Sequence, residues 1–162
     1  NNLSIFTSRP DRNLDLLINI WNNHIYPKFD SGKLLITPPT YHIDLSKNIF
    51  LRNTNSRFEM INDIKKSRIF LIPGHQAELY CLAAEEASEL CIPIVTLGIG
   101  SLSERVIHNK TGFIAKNNEE FSDYTIQLYK NDDLWKQIRN NLIMMRGKNK
   151  WSNVASDFMS KV

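Results

Sequence analysis

The sequence holds little of what marks several large functional classes. It has two cysteines, Cys81 and Cys91, in 162 residues. They fall at either end of one predicted helix, about 15 Å apart at about 1.5 Å per residue, which is too far for a disulfide. With no bridge to form, the thiols point to a reducing compartment, and the expected location is cytoplasmic. Histidine is scattered as His24, His42, His75 and His108. No Cys/His spacing and no acidic cluster suits a bound metal, so none is expected. Apolar runs are short, and none approaches the ~20 residues that cross a bilayer. Residues 1–8 open directly on a strand and lack a signal-peptide layout, which reads as a piece of a larger protein. Charge of a single sign is missing too: Lys and Arg number 20 against 17 Asp and Glu, a net +3. That balance suits an anionic small ligand and falls short of the basic face of a nucleic-acid binder.

What is present describes one globular domain over residues 1–162. Hydrophobic residues at 42% and charged residues at 23% are ordinary for such a chain, and the length allows a sizeable core. Short apolar runs closed by turn residues predict strands over Leu3–Phe6, Lys33–Thr37, Ile49–Leu51, Ile69–Ile72, Ile92–Leu97 and Phe113–Ala115. Between and after them, helical spacing predicts helices over Arg12–Ile25, Arg57–Lys66, Glu78–Leu90, Glu119–Tyr129, Asp132–Met145 and Trp151–Met159. Asp11 is the expected cap of the first. Alternation of this kind gives an α/β fold, a Rossmann-like parallel sheet of about six strands flanked by helices. Ligands of such sheets bind at the carboxyl ends of the strands, near where strand order reverses. The loops there are residues 7–12, 38–42, 52–55, 73–78 and 98–103.

Those loops and the helix after the fourth strand hold the candidate residues. Counted from Leu79, the apolar positions Leu79, Leu82, Ala83, Ala87 and Leu90 form a stripe, and Glu86 occupies the vacant offset within it. An unpartnered carboxylate at a buried edge is costly, so Glu86 either pairs with a cation at the stripe's margin or serves a ligand. Glu78 falls at the predicted helix start, where a carboxylate also suits as a cap. Arg9 and Arg12 precede a helix whose first amides favour an anion. They read either as a solvated basic turn or as a clamp on a diphosphate. Gly98, Gly100 and Ser101 form a turn whose amides suit phosphate, although any sheet of this type needs such a turn.

Glu78 and Glu86 stand eight residues apart, followed by Ala87, by Pro93 within Ile92–Val95, and by the run Gly100–Glu104. Further matching pieces are His108–Ala115 and, upstream, Thr7–Asp15 after the first strand. In these motifs, ordered over roughly residues 5–115, the chain resembles the donor-binding, C-terminal half of family-4-type retaining glycosyltransferases of the GT-B fold. The resemblance implies that Glu86 holds the ribose hydroxyls of a nucleoside-diphosphate sugar and that Glu78, the catalytic candidate, holds the donor sugar. It places Arg12, and with it Arg9, on the diphosphate, and has amides near Leu79, Tyr80, Cys81 and Leu82 and at Gly100 and Ser101 hold sugar and phosphates. His75, three residues before Glu78, either approaches the sugar or is a plain loop histidine. No cofactor and no metal is implied. The implied partners are the donor sugar nucleotide and an acceptor-binding N-terminal domain outside this chain, through which alone any peripheral membrane contact would run. A role in polysaccharide biosynthesis follows from the same likeness. Cys91 departs from the family in replacing a helix-ending glycine, Leu79 in replacing a glycine after the first glutamate, and the two arginines in standing closer together.

Other functions fit less well. A nicotinamide-dependent dehydrogenase requires G-x-G-x-x-G after the first strand, where this chain has Thr7–Asn13 without a glycine. A receiver domain requires an aspartate closing the third strand, where Arg52 and Asn53 stand. A sugar-nucleotide epimerase of the same fold and an inactive donor-binding module remain as alternatives.

Overall fold

The computed structural model describes residues 1–53, 56–147, 156, 159 and 160. Most of the predicted helix over residues 151–159 (all but Ser156 and Met159), and residues 54 and 55 of the loop after the third strand, lie outside the described residues. Six strands form one parallel sheet: β1 (Leu3–Phe6), β2 (Lys33–Ile36), β3 (Ile49–Leu51), β4 (Ile69–Leu71), β5 (Ile94–Thr96) and β6 (Gly112–Ile114). Their spatial order is β3-β2-β1-β4-β5-β6, with Ile5 of β1 opposite Leu35 on one side and Phe70 on the other. Strands covered on both faces read as continuous apolar runs. Accordingly β4 and β5 are buried at every position.

The helices are α1 (Leu14–Ile20), continued by a π-helical segment at Trp21–Ile25, α2 (Arg57–Lys66), α3 (Leu82–Glu89), α4 (Leu102–Arg105), α5 (Asn118–Lys130) and α6 (Asp132–Met145). Side chains start three of them: Ser56 accepts from the Glu59 amide, Asn117 from Glu120 and Asn131 from Leu134, each satisfying an amide with no intrahelical acceptor. The apolar stripes of α1 and α5 bury Leu14, Leu17, Ile20, Phe121 and Leu128 in one continuous core with the strands. Among the described residues, no helix is long and apolar enough to cross a membrane.

Several boundaries differ from the sequence pattern, each for a local reason. The first helix begins at Leu14, because Asn13 takes the left-handed conformation (φ 63°) at its cap and Asp11 is held by Arg9. β6 begins one residue early at Gly112. A Cβ there would lie 2.1 Å from the Ile94 carbonyl oxygen of β5, so close strand approach demands glycine. The largest difference is α3, which starts at Leu82 and leaves residues 78–81 as a loop ending in Cys81 at φ 56°. Leu79 is therefore no part of the helix, and a stripe counted from it is out of phase. The buried face of α3 is Ala84 and Ala87, followed by Cys91, whereas Leu79 and Leu82 are 90% and 69% exposed. Cys91 makes the tight turn in place of a glycine by adopting φ 57°. Both cysteines are free and buried.

Candidate functional site

Strand order reverses between β1 and β4, so the loops that follow these two strands flank one crevice. Residues 7–13 come from the first loop and 72–81 from the second. Asn13 ties them together, its side-chain amide donating to the Gly74 carbonyl. Arg12 reaches across the same gap. Its Nε lies 3.6 Å from Glu78 Oε2, and its Nη1 lies 3.3 Å from His75 Nδ1. The Ala77 amide also donates to His75 Nδ1, at 3.1 Å. With two donors aimed at Nδ1, that nitrogen is the acceptor and the ring proton sits on Nε2. About four-fifths of both the Arg12 and the Glu78 side chain is covered, at 21% and 19% exposed.

The second loop is braced from below. Gly100 lies so close that a Cβ would stand 2.3 Å from the His75 carbonyl oxygen and 2.9 Å from that of Glu78. The Ser101 amide donates to the Glu78 carbonyl at 3.0 Å. The other carboxylate oxygen of Glu78 accepts from the Cys81 amide at 3.2 Å, closing the loop on itself. The carboxylate of Glu78 is thus fixed on one side by its own loop and on the other by Arg12.

Above these groups lies an open cleft of about 470 Å³. Thr7, Ser8, Arg9 and Arg12 of the first loop line it together with Glu78, Tyr80, Cys81, Leu82, Ala83 and Glu86 of the second loop and α3, and with Met60 of α2. Leu82 and Ala83 open α3, where amides have no intrahelical acceptor and favour an anion. The Thr7 hydroxyl is buried with no hydrogen-bond partner. Glu86 Oε1 lies 3.2 Å from Nη2 of Arg57, an exposed residue at the start of α2. Two guanidiniums and two carboxylates lining one cleft suit a ligand that carries both an anionic group and hydroxyls. Arg9 turns toward Asp11, and their bond holds the Asp11 carboxyl below the usual range. Burial pushes the Cys81 thiol up to about 11, so it stands in the cleft as a neutral group.

Of the residues singled out by sequence, Arg9, Arg12, Glu78, Tyr80, Cys81, Leu82 and Glu86 come together on this cleft. Glu86 is both paired at the helix margin and on the cleft wall. Leu79 points to solvent away from the wall. His75, Gly100 and Ser101 lie behind Glu78 as supports. In this structure the amides of Ser101 and Cys81, expected to help hold sugar and phosphates, donate to Glu78. Thr7, Ser8, Met60 and Ala83 were not singled out. The first two lie in a loop already flagged, but small hydroxyl residues after a strand carry no distinct signal. Met60 is one apolar residue of α2 among others, and nothing in its pattern sets it at a cleft. Among the described residues, no group of three His, Cys, Asp or Glu side chains is placed to hold a metal ion.

A family model described as glycosyl transferases group 1 matches residues 39–143. No curated protein sequence matches the chain. Among solved structures, a mutant of TarM from S. aureus, in complex with fondaparinux, alpha-GlcNAc-glycerol and UDP, aligns at TM-score 0.76 and 21% identity. The alignment covers 98% of this chain and 35% of TarM. The C-terminal domain of LpcC, a glycosyl transferase group 1 family protein from Francisella tularensis, aligns at TM-score 0.71 and 16% identity, over 91% of this chain and 86% of that one. HepE from Anabaena, in complex with UDP-glucose, aligns at TM-score 0.76 and 12% identity, over all of this chain and 49% of HepE. The chain therefore spans about a third of TarM and about half of HepE, and likeness at these identities carries the fold.

Proposed function

The chain belongs to the glycosyl transferases group 1 family, and from that membership we propose that it is the donor-binding domain of a retaining glycosyltransferase. The donor is a nucleoside-diphosphate sugar lying along the cleft. Arg12 contacts the diphosphate, with Arg9 nearer its rim, and Thr7 offers its hydroxyl. Glu86 accepts from the ribose hydroxyls, and Glu78 accepts from hydroxyls of the sugar. As the bond from the anomeric carbon to the phosphate oxygen breaks, negative charge grows on the departing diphosphate and positive charge on the sugar ring. A guanidinium on the first stabilises the transition state more than the ground state. The fixed carboxylate of Glu78 orients the ring while that charge develops. An acceptor hydroxyl attacks on the face the diphosphate leaves, its proton passing to the departing phosphate oxygen, so configuration is retained.

The observation that carries this reading is the meeting of Arg12 and Glu78 across the sheet's reversal, with Glu86 on the same cleft. The UDP in the TarM structure and the UDP-glucose in that of HepE make uracil the first base to try. Groups that bind an acceptor lie outside this chain in the reading, so the chain binds donor and transfers little sugar by itself. Calorimetric titration with UDP, GDP, ADP and NAD tests it. One nucleoside diphosphate is expected to bind, with NAD silent. Failure of all three diphosphates to bind the folded chain would remove the reading.

A further inference from the structure

Arg105 lies outside the cleft, at the end of α4, yet it holds the loop that carries Glu78. Its guanidinium carbon sits 3.8 Å from the centroid of the Tyr80 ring, within cation–π distance. Its Nε donates to the Tyr80 carbonyl at 3.0 Å, and its Nη1 lies 3.4 Å from Glu85 Oε2 on the first turn of α3. About four-fifths of the Arg105 and Glu85 side chains are covered, at 22% and 21% exposed. One planar side chain thus grips a ring, a backbone carbonyl and a carboxylate together. Those groups belong to the two pieces of chain, residues 78–81 and the start of α3, that place Glu78 and Glu86 on the cleft. The loop needs such a grip, because Leu79 is exposed and Cys81 holds a left-handed conformation that is unfavourable in a non-glycine residue.

We infer that Arg105 is a positioning residue that sets the Glu78 loop for recognition of the donor's sugar, acting through Tyr80 and touching no ligand itself. The inference rests on the donor-binding reading above. Lysine cannot reproduce it: an ammonium keeps the charge near Glu85 but lacks the flat fork that stacks and donates at once. The geometry also separates two halves of the ligand. Among the described residues no hydrogen bond or ion pair joins Arg105 to Arg12 or Thr7, and Glu86 is carried by the regular turns of α3 rather than by residues 78–81, so the nucleotide part stays in place.

The test compares wild type, Arg105→Ala and Arg105→Lys in two ways. Hydrogen exchange followed by mass spectrometry needs no ligand. Both variants are expected to exchange at least about tenfold faster across residues 78–82, as loss of a charged hydrogen bond implies, while β1 and β4 stay protected. Unchanged exchange in that segment, or full protection restored by lysine, would overturn the inference. Titration with UDP and UDP-glucose is the second arm, or the same pair on guanine or adenine if wild type selects that base. Both variants should keep UDP affinity within about twofold and lose about tenfold in affinity for UDP-glucose. Equal losses for both ligands would mean general damage and overturn the assignment. Wild type that binds no nucleotide at all would remove the donor-binding reading itself, while the exchange result would still decide whether Arg105 positions the loop.

Discussion

Arg12 has two partners, Glu78 and His75, and a diphosphate would become a third. Its distance of 3.6 Å from Glu78 is long for a strong pair, and both side chains are partly open to water, so little stability rests on the contact. Contact with a phosphate is worth more, about 1.5–3 kcal/mol for a hydrogen bond between charged groups. Arg12→Ala is therefore expected to weaken nucleoside diphosphate binding by roughly 10- to 100-fold with almost no change in melting temperature. Comparable calorimetric and thermal measurements on the variant check both halves. Cys81 gives a pH signature at the same scale. Burial raises its pKa from the ordinary 9.0 to about 11, so the folded chain keeps a proton that the unfolded chain releases first. The associated stability is complete below about pH 9 and is lost as pH rises through about 11. Denaturant midpoints followed from pH 8 to 11 should fall for wild type and fall less for Cys81→Ala. A rise with pH would contradict the buried neutral thiol.

At the level of elements, the loop of residues 75–78 and the turn at Gly100 form one unit. Gly100 has φ 68° and no room for a Cβ against two carbonyls. Gly100→Ala is expected to shift Glu78 and to cost donor-sugar affinity as well as stability, whereas a change at the exposed Leu79 should cost neither. Asn117→Ala removes the cap of α5 and should lower stability by about 1 kcal/mol, a drop of about 2–4 °C in melting temperature, without touching binding. These elements also show what was legible in the sequence. The apolar runs of β1 and β3 and the bounds of α2 follow from apolar patterning, and they match residue for residue. α3 does not. Its first turn is preceded by a left-handed cysteine, a conformation that residue type does not announce, and Ala84 and Ala87 rather than leucines face the core. Leucine periodicity therefore pointed to the wrong face. Glu78 and Glu86 both line the cleft all the same, even though the helix between them begins later than its pattern implied. Met60 and Thr7 join the cleft only through packing of distant segments, which a linear pattern does not encode.

For the whole molecule, the order of strands decides where chemistry can happen. Two neighbouring loops leave the sheet in opposite directions only at its reversal, and the cleft is built there. The core runs without a break from Ile5 to Leu142, so the chain is expected to unfold in a single transition, with circular dichroism and tryptophan fluorescence giving coincident curves. Separate transitions would mean that the cleft joins two independent units. Where a nucleotide lands is the central claim, and backbone amide shifts in an NMR titration with UDP, GDP or ADP locate it most directly. The account predicts shifts concentrated in residues 7–12 and 78–86. Shifts centred instead on the groove behind α3, around Glu89 and Arg146, would contradict it.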